Sequence, residues 1–371
     1  MKLKLVCTAL ALAASAVFFA SQARAGDDPF PDTPANRVLY ESTLKAYEKI
    51  DRERGHVATV NGLKMHYLEW GAGNKIPLIW SHGFSSSDFE LIQIGQDLAD
   101  AGYHVYSVAY RGHGQTQVAD LNFSLADVAD DVAGFMDTKG LNCAVIGGLS
   151  LGGGVTTTFY ENYPQRAMGL VLEDGGMDHV QSRTERWLPR QKELKVEHPE
   201  WFDESPRKSF TDRFFAFKDA ARDLITLPPT LWPILQSWVK RDEAGNWRYH
   251  IVPERLLGVG EASVDPARGN ELPLLAQSWR RVHPIITYRH LNVPMLMIDP
   301  TGDDAIVGSL TPEFEKLQAL RPQWIRHVKY PDTPHHAHVV RPDWFVRDMK
   351  ELLARIQQTH SDVCLSPAKQ H

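Results

Sequence analysis

The five residues Gly148-Leu149-Ser150-Leu151-Gly152 constrain this chain more than any other feature. An apolar run over residues 143–147 predicts a short buried strand before them, and residues 155–163, closed by Pro164, predict a helix after them. A sharp strand-to-helix turn strains the central residue and leaves little room beside it, which explains a glycine two residues before and after the serine. The pattern indicates a serine presented as a nucleophile. A glycine-rich turn with an incidental serine is the alternative.

The first 25 residues have the three parts of a secretory signal peptide. Lys2 and Lys4 form a basic start, an apolar stretch runs from residue 5 to residue 20, and Ala23-Arg24-Ala25 is a small-residue cleavage pattern. The apolar stretch is short for a membrane span. We therefore expect a periplasmic or secreted protein with no stable membrane insertion after cleavage.

The overall charge is mildly acidic. The chain has 40 Lys and Arg residues against 46 Asp and Glu residues, a net charge of -6. Cleavage of the signal peptide would remove three basic residues and make the balance more negative. Nucleic acid is therefore not an expected partner.

Cysteine usage predicts a fold that does not depend on a disulfide. Cys7 lies in the signal peptide, Cys143 in a predicted buried strand and Cys364 in a polar C-terminal tail. A bond between two such different places is not expected, and a chain of this length can bury a large core without one.

Hydrophobic periodicity predicts an α/β fold. Residues 56–71 alternate around Asn61-Gly62, which is typical of a tight hairpin. Apolar runs separated by helical patterns then predict a mostly parallel sheet with helices on both faces. These runs cover residues 76–80, 104–109, 142–147, 167–172, 293–299 and 324–330.

The interval between the fourth and fifth runs is too long for one crossover, so it predicts an inserted cap. Prolines 228, 229 and 233 favour several short helices in it. The insert holds six of the ten tryptophans, for which packing onto the main domain is favoured over lining a substrate pocket. They are Trp187, Trp201, Trp232, Trp238, Trp247 and Trp279. The expected organisation is a signal peptide (1–25), an N-terminal arm (26–55), a core in two parts (56–177 and 291–358), a cap (178–290) and a tail (359–371).

Four segments, in this order, resemble the α/β-hydrolase superfamily and in particular its lidded serine hydrolases of the esterase or lactonase type. Trp80-Ser81-His82-Gly83-Phe84 is similar to the His-Gly-x segment, and Tyr110-Arg111-Gly112-His113-Gly114 to the Arg-Gly-x-Gly turn. The serine motif is the third match, and residues 299–307 and 331–338 together form the fourth. The resemblance covers roughly residues 57–353. It implies a mostly parallel eight-stranded sheet, helices on both faces and a mainly helical cap.

The resemblance also implies a catalytic triad of Ser150, Asp304 and His335. A serine hydroxyl is a poor nucleophile at neutral pH, so a histidine must take its proton and a carboxylate must orient that histidine. The order serine, acid, histidine is the one expected in this superfamily. The backbone amides of Phe84 and Leu151 are expected to bind the oxyanion, each contributing about 3 kcal/mol to the transition state.

The acid is open between two aspartates. Asp304 stands before an apolar stretch after the penultimate strand, where the family carries its acid, whereas Asp299 is expected to end that strand. Asp174 is the competitor, because some relatives draw their acid from the end of that earlier strand. A turn or cap residue beside Gly175-Gly176 is the other interpretation of Asp174.

The remaining histidines have structural interpretations. His335, His336 and His338 could form a metal cluster, but no partner set at zinc spacing accompanies them, and His335 matches the family's catalytic position. His338 is expected to support the site or the fold. His82 and His113 lie in turn segments and are expected to brace loops.

These features predict a hydrolase that cleaves a carboxylic ester or lactone with an apolar substituent through an acyl-enzyme, without an organic cofactor or metal. Amide hydrolysis, carbon–carbon bond cleavage and cofactor-free perhydrolysis use the same triad and stay open. A receptor-like homologue with little turnover is the alternative of another class. The expected partner is a small apolar ester, and the oligomeric state is not predicted.

Overall fold

The computed structural model describes residues 30–359 except 85, 117, 119, 177–207, 225–228, 250–272, 303 and 305–308. The predicted signal peptide, parts of the predicted cap and the tail from residue 360 onwards lie outside the described residues. Within the described part, no helix is both long enough and apolar enough to cross a membrane.

An eight-stranded, mostly parallel sheet forms the centre of the fold, as predicted. The described strands are β1 (Gly55–Val60), β2 (Leu63–Trp70), β3 (Ile76–Ser81), β4 (Tyr103–Val108), β5 (Ala144–Leu149), β6 (Ala167–Glu173), β7 (Val239–Arg241), β8 (Trp247–Tyr249), β9 (Met295–Pro300) and β10 (Ile325–Tyr330). The central sheet has the order β1-β2-β4-β3-β5-β6-β9-β10. The β1–β2 and β2–β4 pairs are antiparallel and the others are parallel.

The predicted hairpin is confirmed. Val60 pairs with Leu63 across a two-residue turn. Asn61 and Gly62 both have positive φ, 48° and 81°, as a type I′ turn requires. The asparagine-glycine pair therefore sets the register of the first two strands.

Helices cover both faces of the sheet. They are α1 (Pro34–Arg54), α2 (Gly95–Asp100), α3 (Leu125–Thr138), α4 (Leu151–Asn162), α5 (Arg213–Leu224), α6 (Pro233–Ser237), α7 (Leu274–Trp279), α8 (Pro284–Thr287), α9 (Thr311–Leu320), α10 (Ala337–Val340) and α11 (Pro342–Thr359). Side chains alternate between the faces, so Val145 packs in one core cluster with α11, and Ile146 in the other with α3 and α4. The inner strands β3, β5, β6 and β9 are buried on both faces, which explains their continuous apolar runs.

The described part of the cap contains short helices, as predicted, and one element that was not predicted. Strands β7 and β8 pair antiparallel as a small separate sheet. Trp232, Trp238 and Trp279 are buried and Trp247 is partly buried, whereas Trp187 and Trp201 lie outside the described residues. Trp232, for example, packs edge-on against Phe30, with ring centroids 5.4 Å apart.

One expectation about cysteine is wrong. Cys143 is disulfide-bonded, and its partner lies outside the described residues. The residue lies immediately before β5 rather than within it. It is therefore at the start of the strand and not in the interior of the sheet.

Candidate active site

Ser150 lies on a sharp turn between β5 and α4. The strand ends at Leu149 and the helix begins at Leu151, so the serine alone makes the connection. Its φ of 54° and ψ of -113° are a strained combination for a residue with a side chain. The Ser150 backbone N–H donates to the Glu173 carbonyl at 2.9 Å, which anchors the turn to β6. The serine is buried.

Glycines make this turn sterically possible. A Cβ atom on Gly148 or Gly152 would lie closer than 3.0 Å to the backbone carbonyl oxygen of Ser81. A Cβ on Gly175 would lie equally close to backbone atoms of Ser150. These are backbone contacts that cannot move aside. The ends of β3, β5 and β6 therefore meet around Ser150.

The His335 ring is held by Asp174. Nδ1 of His335 forms a hydrogen bond and ion pair with Oδ2 of Asp174, and both side chains are buried. The expected acid was Asp304, whereas the structure places the competing aspartate, Asp174, on the His335 ring; which of the two acts as the acid stays a prediction. The physical reason is position, because Asp174 directly follows Glu173, whose carbonyl holds the nucleophile turn.

Asp174 also has an unusual backbone. Its φ is 41°, in the left-handed region, and Gly175 and Gly176 follow it. This conformation turns the chain sharply at the carboxyl end of β6. The pair Gly175-Gly176 was the sequence signal for this turn, because Gly175 must approach the Ser150 backbone. The same glycines were also compatible with an ordinary capping turn, so they did not decide the assignment.

Asp304 lies on the neighbouring loop after β9. The loop packs against the histidine segment, since Gly302 N–H donates to the Thr333 carbonyl at 2.8 Å. The charge of Asp304 acts on Lys329 of β10. Asp299, expected to end the strand, lies within β9 and binds His327 and Thr311 at 2.8 and 2.7 Å.

The two expected oxyanion donors lie on segments that approach one another. Leu151 is the first residue of α4, where backbone N–H groups are free of intrahelical partners and favour negative charge. Phe84 follows Gly83, whose N–H is held by Glu90 Oε2 at 2.9 Å. The carbonyl oxygens of Ser81 and His82 lie against Gly152 of α4. The oxyanion roles of both amides stay a prediction.

His82 and His113 are buried behind this segment. His82 stacks on Tyr110 with ring centroids 4.0 Å apart, and His113 lies edge-on to Phe84 at 5.7 Å. Burial lowers the pKa of His82 well below its usual value and that of His113 to about 3. Both rings are therefore neutral and pack as aromatic groups.

Two histidines that follow β10 bind different carboxylates. His335 Nδ1 binds Asp174, whereas His338 Nδ1 binds Glu173 at 2.8 Å. Burial lowers the pKa of His336 well below its usual value. Within the described ranges, no group of three or more His, Cys, Asp or Glu side chains could hold a metal ion.

A serine on a sharp strand-to-helix turn, an aspartate–histidine pair and a His-Gly-x segment at the carboxyl edge of a mostly parallel sheet are the arrangement typical of an α/β hydrolase. The model of the "Alpha/beta hydrolase family" matches residues 78–348, and the chain belongs to this family.

Sequence relatives match over part of their length. The chain is 32% identical over 141 residues to a dihydrolipoyllysine-residue acetyltransferase component of an acetoin cleaving system from Cupriavidus necator, covering 38% of this chain and 35% of that protein. It is 33% identical over 134 residues to a bifunctional esterase/perhydrolase from Acinetobacter calcoaceticus, covering 35% and 48%. The chain thus spans between about a third and a half of these relatives.

Solved structures extend the similarity of the fold. An N-acyl homoserine lactone degrading enzyme superposes with a TM-score of 0.54 at 19% identity, covering 80% of this chain and 99% of that one. At this identity the comparison supports the fold alone.

Proposed function

We propose that this protein is a serine hydrolase that cleaves a carboxylic ester or lactone with an apolar substituent through an acyl-enzyme. The observation that carries the proposal is the strained Ser150 turn beside a buried His335–Asp174 pair. When a carboxylate holds Nδ1 of a histidine, Nε2 is the nitrogen that accepts the proton of a serine hydroxyl. The roles proposed below for Leu151 and Phe84 follow from this assignment of Ser150, His335 and Asp174.

The first half of the proposed reaction forms the acyl-enzyme. Ser150 Oγ attacks the acyl carbon while its proton passes to His335 Nε2. Asp174 holds the imidazole in the required tautomer and stabilises the imidazolium. The amides of Leu151 and Phe84 bind the oxyanion. The carbon–oxygen bond to the alcohol then breaks, and the proton on His335 passes to the departing oxygen.

The second half releases the acid. Water attacks the acyl carbon while His335 accepts one of its protons. Collapse of the second oxyanion intermediate returns that proton to Ser150 Oγ and frees the carboxylic acid. In a lactone the alcohol and the acid stay joined in one product.

Cap residues support an apolar substituent. Trp238 lies edge-on to His113 at 5.3 Å, and His113 in turn contacts Phe84 of the oxyanion segment. Trp238 of the cap is thus connected to the expected oxyanion segment through one intervening side chain, His113. One of the similar proteins is a bifunctional esterase/perhydrolase, which agrees with an ester substrate.

Hydrolysis of p-nitrophenyl esters of increasing acyl length tests this proposal. We expect turnover by the wild type, and a loss of about 10⁴-fold or more in kcat for Ser150→Ala. Ser107→Ala, which changes a buried serine within β4, is the matched control and should keep its activity. Turnover that survives in Ser150→Ala would contradict the proposed nucleophile.

A fluorophosphonate probe separates the alternatives. Labelling of Ser150 without ester turnover would point to amides, carbon–carbon substrates or perhydrolysis. Ligand binding without labelling or turnover would favour the receptor-like alternative.

A further inference from the structure

A fully buried group of charged side chains lies behind the candidate site and has no role in the mechanism above. It consists of Glu173 at the end of β6, Glu90 in the 3-10 helix Asp88–Gln93 and His338 in α10. All three are 1% exposed or less. Buried ionisable groups are costly unless they are paired, so their arrangement requires an explanation.

Glu173 joins the histidine segment to the nucleophile turn. Its carboxylate accepts the His338 backbone N–H at 2.9 Å and the His338 ring Nδ1 at 2.8 Å. Its backbone carbonyl accepts the N–H of Ser150 at 2.9 Å. The next residue, Asp174, binds His335. One glutamate therefore contacts the backbone of the nucleophile and the segment that carries the base.

Glu90 joins the same group to the oxyanion segment. Its Oε2 accepts the Gly83 N–H at 2.9 Å, immediately before Phe84, and its Oε1 accepts the Trp80 Nε1–H at 2.8 Å. The Trp80 ring lies edge-on to the His338 ring, with centroids 6.1 Å apart. Glu90 thus fixes the peptide that precedes an expected oxyanion donor.

The charges of the two glutamates act on His338. Burial alone would lower the pKa of His338, but the charge of Glu173, its hydrogen bond and the charge of Glu90 outweigh burial and raise it. Burial raises the pKa of Glu90, and the His338 charge opposes that rise. An imidazolium bound to Glu173 and facing Glu90 compensates more of the buried negative charge than a neutral ring would.

We infer that His338 is a positioning residue which, as an imidazolium bound to Glu173 and facing Glu90, fixes the His335 segment against the nucleophile turn and the oxyanion segment. The inference rests on the proposed function, because that function assigns His335 as the base. His338 itself touches no reacting atom. Its effect is on the relative placement of three segments, where a displacement of about 1 Å can cost about 100-fold in rate.

Loss of the His338 proton should weaken this placement. The titratable groups around His338 are Glu173 from β6, Glu90 from the 3-10 helix, His336 from its own segment, and Tyr330 of β10, which faces Glu173. Because the pKa of His338 is raised by the charge of Glu173, the imidazolium persists to a higher pH than in a free histidine, and it is lost as the pH rises through that pKa. We therefore expect kcat to fall on the alkaline side.

Two substitutions test the inference with the full chain. His338→Asn keeps a donor near the position of Nδ1 but carries no charge, and Glu173→Gln keeps the shape of the partner while removing its charge. For each we expect kcat to fall about 10- to 100-fold, KM to stay within about threefold, and the alkaline fall in kcat to disappear. Tyr103→Phe is the control, because it removes a buried hydrogen bond to the Met349 carbonyl at the opposite end of the sheet. It should lower stability and leave kcat and its pH profile unchanged.

Nitrogen NMR of ¹⁵N-histidine-labelled protein gives a measure that does not depend on turnover. We expect the His338 ring to carry two protons at pH 7, with its signals identified by their absence in His338→Asn. A singly protonated His338 at pH 7 would overturn the inference whether or not the enzyme is active. Wild-type kcat and an unchanged alkaline limb in both variants would also overturn it, and would leave the proposed function intact. If wild-type Ser150 does not react with a fluorophosphonate, the proposed function itself fails.

Discussion

The proposed assignment of Asp174 as the acid depends on one backbone position. Leu149 pairs with Glu173 in the β5–β6 register, so the residues that follow them, Ser150 and Asp174, leave the sheet side by side. Both have positive φ, which turns each side chain out of its strand. Asp304 follows β9, one strand further from the nucleophile. Proximity to Ser150 therefore favours Asp174.

Asparagine substitutions separate the two aspartates. Asp174→Asn should lower kcat about 10³- to 10⁴-fold, because an amide cannot hold the same tautomer or stabilise the imidazolium. Asparagine tolerates the left-handed backbone at this position, so the variant should fold. Asp304→Asn should stay within about threefold of the wild type. Steady-state ester kinetics of the two variants measure this difference, and the reverse ranking would restore Asp304 as the acid.

At the scale of elements, the first turn of α4 depends on glycine for packing. Gly152 lies against the carbonyls of Ser81 and His82, whereas a Cβ on Gly154 would meet only the side chains of Trp279 and Leu125, at 3.3 and 3.4 Å. Both glycines are in the same helical turn. They differ in whether the neighbour is backbone or side chain, and this difference makes them a matched pair.

Alanine substitutions of this pair should give opposite outcomes. Gly152→Ala should lower the free energy of unfolding by about 3 kcal/mol or more and abolish activity, because the β3 end must move away from α4. Gly154→Ala should change it by no more than about 1 kcal/mol, since alanine favours the helix and side chains can adjust. Urea unfolding and ester hydrolysis measure both effects. Equal free energies of unfolding for the two variants would show that the end of β3 can move away from α4 at little cost.

The sequence predicted which helices and strands exist more accurately than the residues at which they begin and end. The six apolar runs became β3, β4, β5, β6, β9 and β10 with shifts of one or two residues. The helix after Ser150 was expected from residue 155 but begins at Leu151. Gly152, Gly153 and Gly154 disfavour a helix locally, and their packing against distant segments of the chain places them inside one. The β7–β8 hairpin has strands of three residues, too short to show a period.

Most of the candidate site was predictable because its motifs are local. Ser150 and His335 stand in recognisable segments, whereas the acid is defined by which loop reaches His335 in space. Two aspartates at two strand ends were compatible with the sequence pattern, and the resemblance favoured Asp304 over Asp174. The Glu173–His338–Glu90 group unites positions 90, 173 and 338, and no local pattern connects residues so far apart.

At the scale of the whole molecule, α1 joins the core to the cap. Tyr40 packs edge-on against Phe214 of the cap at 5.4 Å, and Tyr47 packs against Phe89 of the core at 4.9 Å. Near its end, Asp51 binds His66 Nε2 at 2.9 Å. This helix precedes the residues that match the family. Its attachment depends on these aromatic contacts and on the Asp51–His66 pair.

His66 is the polar centre of that attachment. Its Nδ1 binds the fully buried Asp88 at 2.6 Å, so its ring connects α1, β2 and the 3-10 helix beyond the oxyanion segment. Burial alone would lower the pKa of His66, but Asp88 and Asp51 outweigh burial and raise it to about 9. An unfolded histidine has a pKa of about 6.5. The ion pairs thus stabilise the fold fully below about pH 6.5 and are lost as the pH rises through about 9.

The free energy of unfolding should therefore fall in the alkaline range as His66 loses its proton. The substitution His66→Gln isolates this effect. We expect the free energy of unfolding of the wild type, measured in urea, to drop by an amount on the order of 2 kcal/mol between about pH 6.5 and 9.5 from this group. Lys240, whose pKa burial lowers to about 8, titrates in the same window with the opposite sign. The difference between the wild type and His66→Gln at each pH cancels that contribution. The variant should be less stable at pH 6.5 and approach the wild type at pH 9.5, and a difference independent of pH would show that His66 is not charged in the folded protein.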